Sequence, residues 1–182
     1  MPINSRKKGA KNERKITALY KTWTGYDFAR TPASGGLRWK HNQNIVGDLV
    51  CTDERHSPKF PFTVEAKSYR EINFEHLIST NAKIRVLEFW DQATNDANRA
   101  NKIPILMMRY NGMESDLHYL CLPWKFFDII KTEMTFNYGY LKYMGLEEAF
   151  VIMSSKDFFA TDYNTIRILG RNYIKLQGNG KR

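Results

Sequence analysis

The chain has 182 residues, of which 42% are hydrophobic and 14% aromatic, a composition that excludes a wholly disordered protein. Lys and Arg outnumber Asp and Glu by 28 to 19, and the resulting net charge of +9 favours a polyanionic partner, with nucleic acid as the leading candidate. The two cysteines, Cys51 and Cys121, lie far apart with no CxxC pair, so we expect neither a disulfide framework nor a zinc site.

The first predicted element is a helix over residues 12–23, where apolar side chains recur at spacings of three and four and Gly25 is placed to end the helix. Glu13 lies on this apolar stripe, although the helix and the segment before it are otherwise basic. A carboxylate in that position predicts a cationic neighbour. Alternatively, Glu13 is a first-turn acid that the helix dipole stabilises.

Three strands are predicted next. Residues 26–30 form a short strand, and a loop with Gly35 and Gly36 follows it. Residues 44–51 are apolar except at Asp48, which predicts a central strand with one buried acid. In the strand over residues 62–67, Glu65 and Lys67 share one face because strand side chains alternate.

The second half of the chain predicts further helices and strands. Residues 84–100 form a helix with Gln92 beside its apolar stripe, and residues 103–110 and 116–122 form two strands joined by a hairpin at Asn111 and Gly112. Pro104 should lie at the beginning or edge of its strand, and a helix begins after Pro123. A strand over residues 149–154 and a helix over residues 157–169 complete an α/β (α+β) sheet flanked by helices.

Asp48, Glu65 and Lys67 are the candidate catalytic residues. If their strands are neighbours, two carboxylates converge beside an amine, which is the oxygen-rich environment that Mg²⁺ prefers. The Ala66 carbonyl is a further candidate ligand, and Glu13 could supply a third acid. Lys67 would orient or deprotonate the attacking water in phosphodiester hydrolysis. A purely structural reading also stands, in which each acid forms an ion pair with Lys67 or an arginine.

These residues resemble a known motif. Gly47-Asp48 followed by Glu65-Ala66-Lys67 resembles the PD-(D/E)XK nuclease signature, although the Pro that usually precedes the Asp is absent. Over about the first 110 residues, the order of the motifs is similar to that of archaeal-type Holliday junction resolvases: residues 8–14, Arg30, residues 34–36, Asp48, residues 65–68 and Gln92. The resemblance implies a restriction-endonuclease-like mixed β-sheet flanked by α-helices, a Mg²⁺-dependent homodimer in which Mn²⁺ can substitute, and paired cuts across a four-way DNA junction.

The resemblance also assigns roles. It implies that Glu13, Asp48 and Glu65 are metal-site acids, that the Ala66 carbonyl is a ligand, and that Lys67 is the catalytic lysine. Arg30 and Ser34 would lie near the scissile phosphate. The predicted DNA contacts are Lys7, Lys8, Lys11, Arg30, Ser34, Gly35, Arg38, Lys40, Arg70 and Gln92. Alternatively, residues 34–36 are only a flexible turn, and the lysines with Arg38 and Arg70 are a solvated surface.

Two departures from the resolvases leave the substrate open. The gap between Asp48 and Glu65 is longer than usual in that family, and the chain continues well past Tyr110. A restriction-like or other DNA nuclease on the same fold, or a non-catalytic DNA-binding module, therefore remains an alternative. We expect one nuclease domain over residues 1–182, with a core of about 5–122 and an extension of about 123–182. With no run of 18 apolar residues, we expect a cytoplasmic protein of a bacterial or virus-infected cell and no membrane partner.

Overall fold

A computed structural model describes residues 5–31, 46–72, 76, 84–133, 137–142, 146 and 148–179. In chain order its helices and strands are α1 (Ser5–Thr24), β1 (Phe28–Arg30), β2 (Leu49–Cys51), β3 (Phe62–Tyr69), α2 (Arg85–Ala100), β4 (Ile103–Tyr110), β5 (Tyr119–Pro123), α3 (Trp124–Ile130), β6 (Tyr138–Leu141), β7 (Phe150–Ser154), α4 (Ser155–Phe159) and α5 (Tyr163–Asn179). Across these ranges, no helix combines the length and the apolar character needed to cross a bilayer.

Five strands form a mixed sheet in the order β3-β4-β5-β7-β6. Strands β3 and β4 are parallel, since α2 connects them as a crossover, and the remaining pairs are antiparallel. Strands β1 and β2 pair separately as a two-stranded antiparallel sheet. This mixed sheet flanked by helices confirms the predicted α/β, restriction-endonuclease-like fold class.

Each face of the large sheet is covered by different helices. On one face, Val64 and Ile105 belong to a core that includes Ile16 of α1, Phe126 of α3 and Ile166 of α5. On the opposite face, residues such as Leu106 and Met108 pack against Val86, Phe89, Trp90 and Ala93 of α2. Because side chains alternate along β3, Glu65 and Lys67 lie on the α2 face, beside Leu106 and Met108 in the register.

Several predicted elements are confirmed. Strand β4 has the predicted bounds and Pro104 is its second residue, while α2 begins one residue later than expected. The first helix begins at Ser5 rather than at residue 12, so Glu13 is not in its first turn and the dipole explanation for that acid is wrong. Gly25 follows the helix end at φ +77°, and its amide donates to the Lys21 carbonyl at 2.8 Å.

Other predictions are corrected. Strand β2 begins only at Leu49 and pairs with β1, so Asp48 does not lie in a central strand of the large sheet. Residues 44–45 lie outside the described residues. Strand β5 begins at Tyr119, after a longer connection than a tight hairpin. The helix predicted over residues 157–169 is two helices, α4 and α5, and the edge strand β6 had not been predicted.

Candidate active site

Asp48 forms two hydrogen bonds with the edge of β3 that does not pair with β4. Its amide donates to the Val64 carbonyl at 2.8 Å, and its side-chain Oδ2 accepts from the Ala66 amide at 2.8 Å. In a strand, the amide and carbonyl of one residue point to the same side, so the Ala66 carbonyl faces the same edge as Asp48. The backbone pairing therefore brings two of the predicted oxygen ligands to one edge.

Gly47 makes this approach possible. Its φ of +86° lies in the region that L side chains rarely adopt. A Cβ at this position would lie 2.8 Å from the Val64 carbonyl oxygen and 3.2 Å from the Val64 amide nitrogen. Only glycine therefore allows the bend that seats Asp48 against β3.

Glu65, Lys67 and Gln92 form a hydrogen-bonded group under α2. Lys67 Nζ lies 2.5 Å from Glu65 Oε1 and 2.9 Å from Gln92 Oε1. The Lys67 ammonium also lies 5.4 Å from the centroid of the Phe89 ring. Glu65 is only 3% exposed, so water hardly stabilises its negative charge. The ion pair with Lys67 provides that stabilisation instead. The Lys67 amine is held in one place by a strand partner and a helix partner.

The two carboxylates make each other harder to ionise. Burial and, to a smaller extent, the neighbouring charge of Asp48 together raise the pKa of Glu65 to about 7, against the opposing effect of Lys67. Burial also raises the pKa of Asp48; the Ala66 amide opposes this, and the charge of Glu13 adds to it. Two acids with one lysine leave the group short of one positive charge, which a bound cation would supply.

Glu13 forms an ion pair across the same edge. Its Oε2 accepts from Arg30 Nε of β1, and the Glu13 side chain is 18% exposed. This confirms the predicted cationic neighbour. Within the part of the chain that the structure describes, no group of three His, Cys, Asp or Glu side chains is close enough to hold a metal ion. The assignment of Glu13 as a metal ligand therefore stays a prediction.

The residues around Asp48 suit a partly hydrated divalent cation rather than a cation enclosed by protein. Two carboxylates and a carbonyl are hard oxygen donors, and hard divalent cations commonly complete such a set with waters and substrate phosphate oxygens. Burial and mutual repulsion raise the pKa of both Asp48 and Glu65, which a nearby cation would oppose. The donor set formed by Asp48, Glu65 and Ala66 is therefore compatible with a hard divalent metal.

The predicted DNA contacts fall into three groups. Lys7 and Lys11 are exposed on α1, and Arg70 is exposed just after β3. Lys8 donates to the Tyr69 carbonyl at 2.8 Å, while the side chains of Arg30 and Gln92 contact Glu13 and Lys67. The predictions for Ser34, Gly35, Arg38 and Lys40 lie outside the described residues.

Asp96 of α2 is a neighbour that the sequence analysis missed. Its charge raises the pKa of both Asp48 and Glu65, and its own side chain pairs with Arg99. It lies four residues after Gln92 and thus on the same face of the helix. That spacing was the available signal, but only the structure shows that this face of α2 borders β3.

Comparison with known proteins identifies similar sequences. Residues 4–169 match the family described as "Phage putative PDDEXK endonuclease". The chain is also similar to Protein D14 of Escherichia phage T5, with 24% identity over 110 residues that cover 60% of this chain and 66% of that protein, just under two thirds of its length. No solved structure gives a significant match.

Proposed function

This chain belongs to the phage PDDEXK endonuclease family, and from that premise we propose that it is a Mg²⁺-dependent, structure-selective DNA endonuclease that cuts four-way junctions. Family membership supports a nuclease and a divalent metal in general. The choice of Mg²⁺, with Mn²⁺ as a substitute, and the branched substrate are the finer parts of the proposal.

The observation that most supports the proposal is the meeting of two distant segments. Asp48 Oδ2 accepts the Ala66 amide at 2.8 Å, in the middle of the Glu65-Ala66-Lys67 tripeptide. The two halves of the PD-(D/E)XK motif are thus joined by a direct hydrogen bond. The alternative, in which these acids only form structural ion pairs, does not explain Asp48, because Lys67 already pairs with Glu65.

The residues have distinct proposed roles in hydrolysis. Asp48, Glu65 and the Ala66 carbonyl would hold the metal, which when bound lowers the pKa of a coordinated water and neutralises charge on the phosphorane. Lys67 would position the attacking water and donate to a phosphate oxygen, since Glu65 and Gln92 fix its Nζ. Water attacks phosphorus, the P–O bond to the leaving oxygen breaks, and the proton that the attacking water loses to solvent is balanced by one that the leaving oxygen takes up. Arg30 would lie near the scissile phosphate.

The resolvase resemblance and the +9 charge support a branched DNA substrate. Symmetric cuts in a four-way junction need two active sites, so we propose a two-fold homodimer. The phage family supports activity in an infected bacterial cell. A light-scattering mass of one chain for a protein that still cuts both strands in register would contradict the dimer.

The test compares cleavage of a four-way junction, a flap, a linear duplex and a single strand of matched sequence, with Mg²⁺, Mn²⁺ or EDTA. We expect the junction to be cut fastest, in two symmetric positions, and only with a divalent metal. Faster cutting of the duplex would support a restriction-like nuclease instead. Tight binding of all substrates without cleavage in either metal would support a non-catalytic DNA-binding protein.

A further inference from the structure

A cavity lies beside the segment that holds Asp48. It has a volume of about 510 Å³, and residues of the Val46–Cys51 segment line one side of it. The side chains of Lys59, Lys102, Arg171 and Lys175 also line it, and no Asp or Glu is among its lining residues, all of which lie in the described ranges. We name it the cationic cavity.

The four cations of this cavity have no acidic partner in the described structure. No ion pair or side-chain hydrogen bond within the described ranges involves Lys59, Lys102, Arg171 or Lys175. Asp27 and Asp53 are near enough to affect the pKa of Cys51; Asp27 pairs with Lys21, and Asp53 contacts His56, which is charged only when protonated. The four cations of the cavity therefore lack a direct ion pair, although two acids lie in the neighbourhood.

Lys102 is the least solvated of these cations. It lies two residues after the end of α2 and is half-buried, with its Nζ 5.7 Å from the centroid of the Phe60 ring. Burial lowers the pKa of Lys102, which is the effect of holding an ammonium away from water without a carboxylate. An anion in the cavity would stabilise the charged ammonium and so oppose this effect of burial.

Helix α5 places the remaining two long cations at the cavity. Arg171 and Lys175 are four residues apart, a spacing at which like charges destabilise a helix. Gly170 lets this helix approach the sheet closely, because a Cβ there would lie 3.1 Å from Pro61 and 3.3 Å from Ile103. The close packing holds a repulsive pair over the cavity, which is expected where an anion binds between them.

We propose that the cationic cavity binds a backbone phosphate of the DNA substrate, at a distance from the bond that is cut. This inference rests on the proposed function. Phe62 at the cavity and Glu65 at the active site are three residues apart on one strand, about 10 Å.

The test measures binding without cleavage. Fluorescence anisotropy follows a labelled four-way junction in EDTA over about 0.05–0.2 M salt for the wild type and for Arg171→Gln/Lys175→Gln. If both side chains contact phosphate, the slope of log K against log salt falls by roughly 1.8 and affinity at about 0.1 M salt falls by up to about 60-fold. Both residues are exposed, so we expect the variant to fold normally.

The matched control is Lys125→Gln/Lys142→Gln, which also removes two exposed positive charges that do not line the cavity, one from α3 after the central strand β5 and one from the residue after the edge strand β6. We expect its salt slope to equal that of the wild type. Equal slopes for both double variants and the wild type would overturn the proposal. Equal losses in both variants would also overturn it, because only the total charge would then matter.

A local measurement on the unmutated protein gives a second test. Acylation of lysines by an amine-specific reagent, quantified by mass spectrometry, should be several-fold slower at Lys102 when the junction is bound and unchanged at Lys142. Undiminished acylation of Lys102 at saturating DNA would contradict the proposal. A protein that binds through the cavity but never cuts would instead disprove the nuclease function, so the two failures are distinguishable.

Discussion

Two groups of charged residues lie on either side of the Val46–Cys51 segment, and they are built in opposite ways. In the acidic site, formed by Asp48, Glu65 and Lys67, the amine bonds to Glu65 and the amide of Ala66 bonds to Asp48. In the cationic cavity, four basic side chains have no acidic partner within the described ranges. One group is organised by the chain itself, whereas the other leaves its charge for a ligand.

The difference indicates a division of labour. Catalytic groups must be held in place before the substrate arrives, because reorganisation during the reaction raises the barrier. Groups that bind phosphate need only an uncompensated positive charge at the right distance. We therefore expect changes in the acidic site to alter the rate of cleavage, and changes in the cationic cavity to alter affinity.

The largest loss of cleavage rate should result from Asp48→Asn. The amide oxygen can still accept the Ala66 amide, so the fold is kept while one negative charge is lost from the metal site. We expect single-turnover cleavage at saturating enzyme with Mg²⁺ to fall by roughly 10³-fold, the scale of an essential electrostatic group. Affinity for the junction in EDTA should stay the same or rise.

The control for that variant is Asp128→Asn, which alters an exposed acid of α3 that pairs with Lys131. It should cut at the wild-type rate. If Asp48→Asn kept the wild-type rate with Mg²⁺, the acidic site would not be the catalytic centre and the division of labour would be abandoned.

Gly47→Ala should damage both regions, because Gly47 belongs to the segment that they share. The positive φ costs about 1–2 kcal/mol for alanine, and the clash with the Val64 carbonyl adds roughly 1–3 kcal/mol. Urea unfolding should show this loss of stability, and both cleavage rate and DNA affinity should fall. In Gly112→Ala the φ is also positive, at +94°, but no atom lies within 4 Å of the new Cβ. A loss in Gly47→Ala no greater than in Gly112→Ala would show that the close approach to β3 is unimportant.

Acidification should destabilise the scaffold through His118. This side chain is fully buried with its Nε2 2.9 Å from Asn12 Oδ1, and burial, with a smaller effect of Arg109, lowers its pKa to about 4 from 6.5. The unfolded chain therefore takes up a proton first, so the contribution of His118 to stability falls by about 3 kcal/mol as the pH drops from 6.5 to 4. The difference in unfolding free energy between the wild type and His118→Gln, measured in urea, should change by that amount across this range, whereas the difference between the wild type and the control His76→Gln should stay constant.

The pH dependence of Glu65 has the opposite sign, which separates the scaffold from the acidic site. Its pKa in the folded chain, about 7, lies above the ordinary 4.5, so its contribution to stability is greatest below pH 4.5 and is lost as the pH rises through 7. If the free energy of unfolding of His118→Gln depended on pH as that of the wild type does, His118 would not be the group that lowers stability at acidic pH.

Elements with a strong local pattern were predictable from the sequence. Strand β4 is a continuous apolar run bounded by a turn, and α2 has a regular apolar stripe, so both were predicted within one residue. Strand β6 is an exposed edge strand without a buried face, which leaves no alternation to detect. Asp48 was predicted in a strand because its neighbours are apolar, but the close approach of Gly47 to β3 requires a bend.

The two charged regions differ in the same way. Glu65 and Lys67 are two residues apart in a strand, so their shared face followed from the sequence, and Asp48 was identifiable as the one acid in an apolar segment. The cationic cavity takes Lys59, Lys102, Arg171 and Lys175 from three segments that only the packing of α5 against the start of β3 and β4 brings together. No spacing in the sequence indicates such a site. Arg171 and Lys175 also lie beyond the residues that match the family.

The smallest loss of cleavage rate should result from Gln92→Ala, which tests whether the hydrogen bond from Lys67 to Gln92 is needed to position the amine. Gln92 is exposed, and its Oε1 accepts one hydrogen bond from Lys67 at 2.9 Å, while Glu65 continues to hold the amine. Loss of one such bond to a charged donor at the surface costs roughly 1.4 kcal/mol, so the cleavage rate at saturating enzyme should fall about tenfold with unchanged affinity in EDTA. Asn98→Ala, an exposed amide on the same helix, should leave the rate unchanged. A weaker affinity without a slower rate would mean that Gln92 contacts DNA directly, and that Glu65 alone is sufficient to place Lys67.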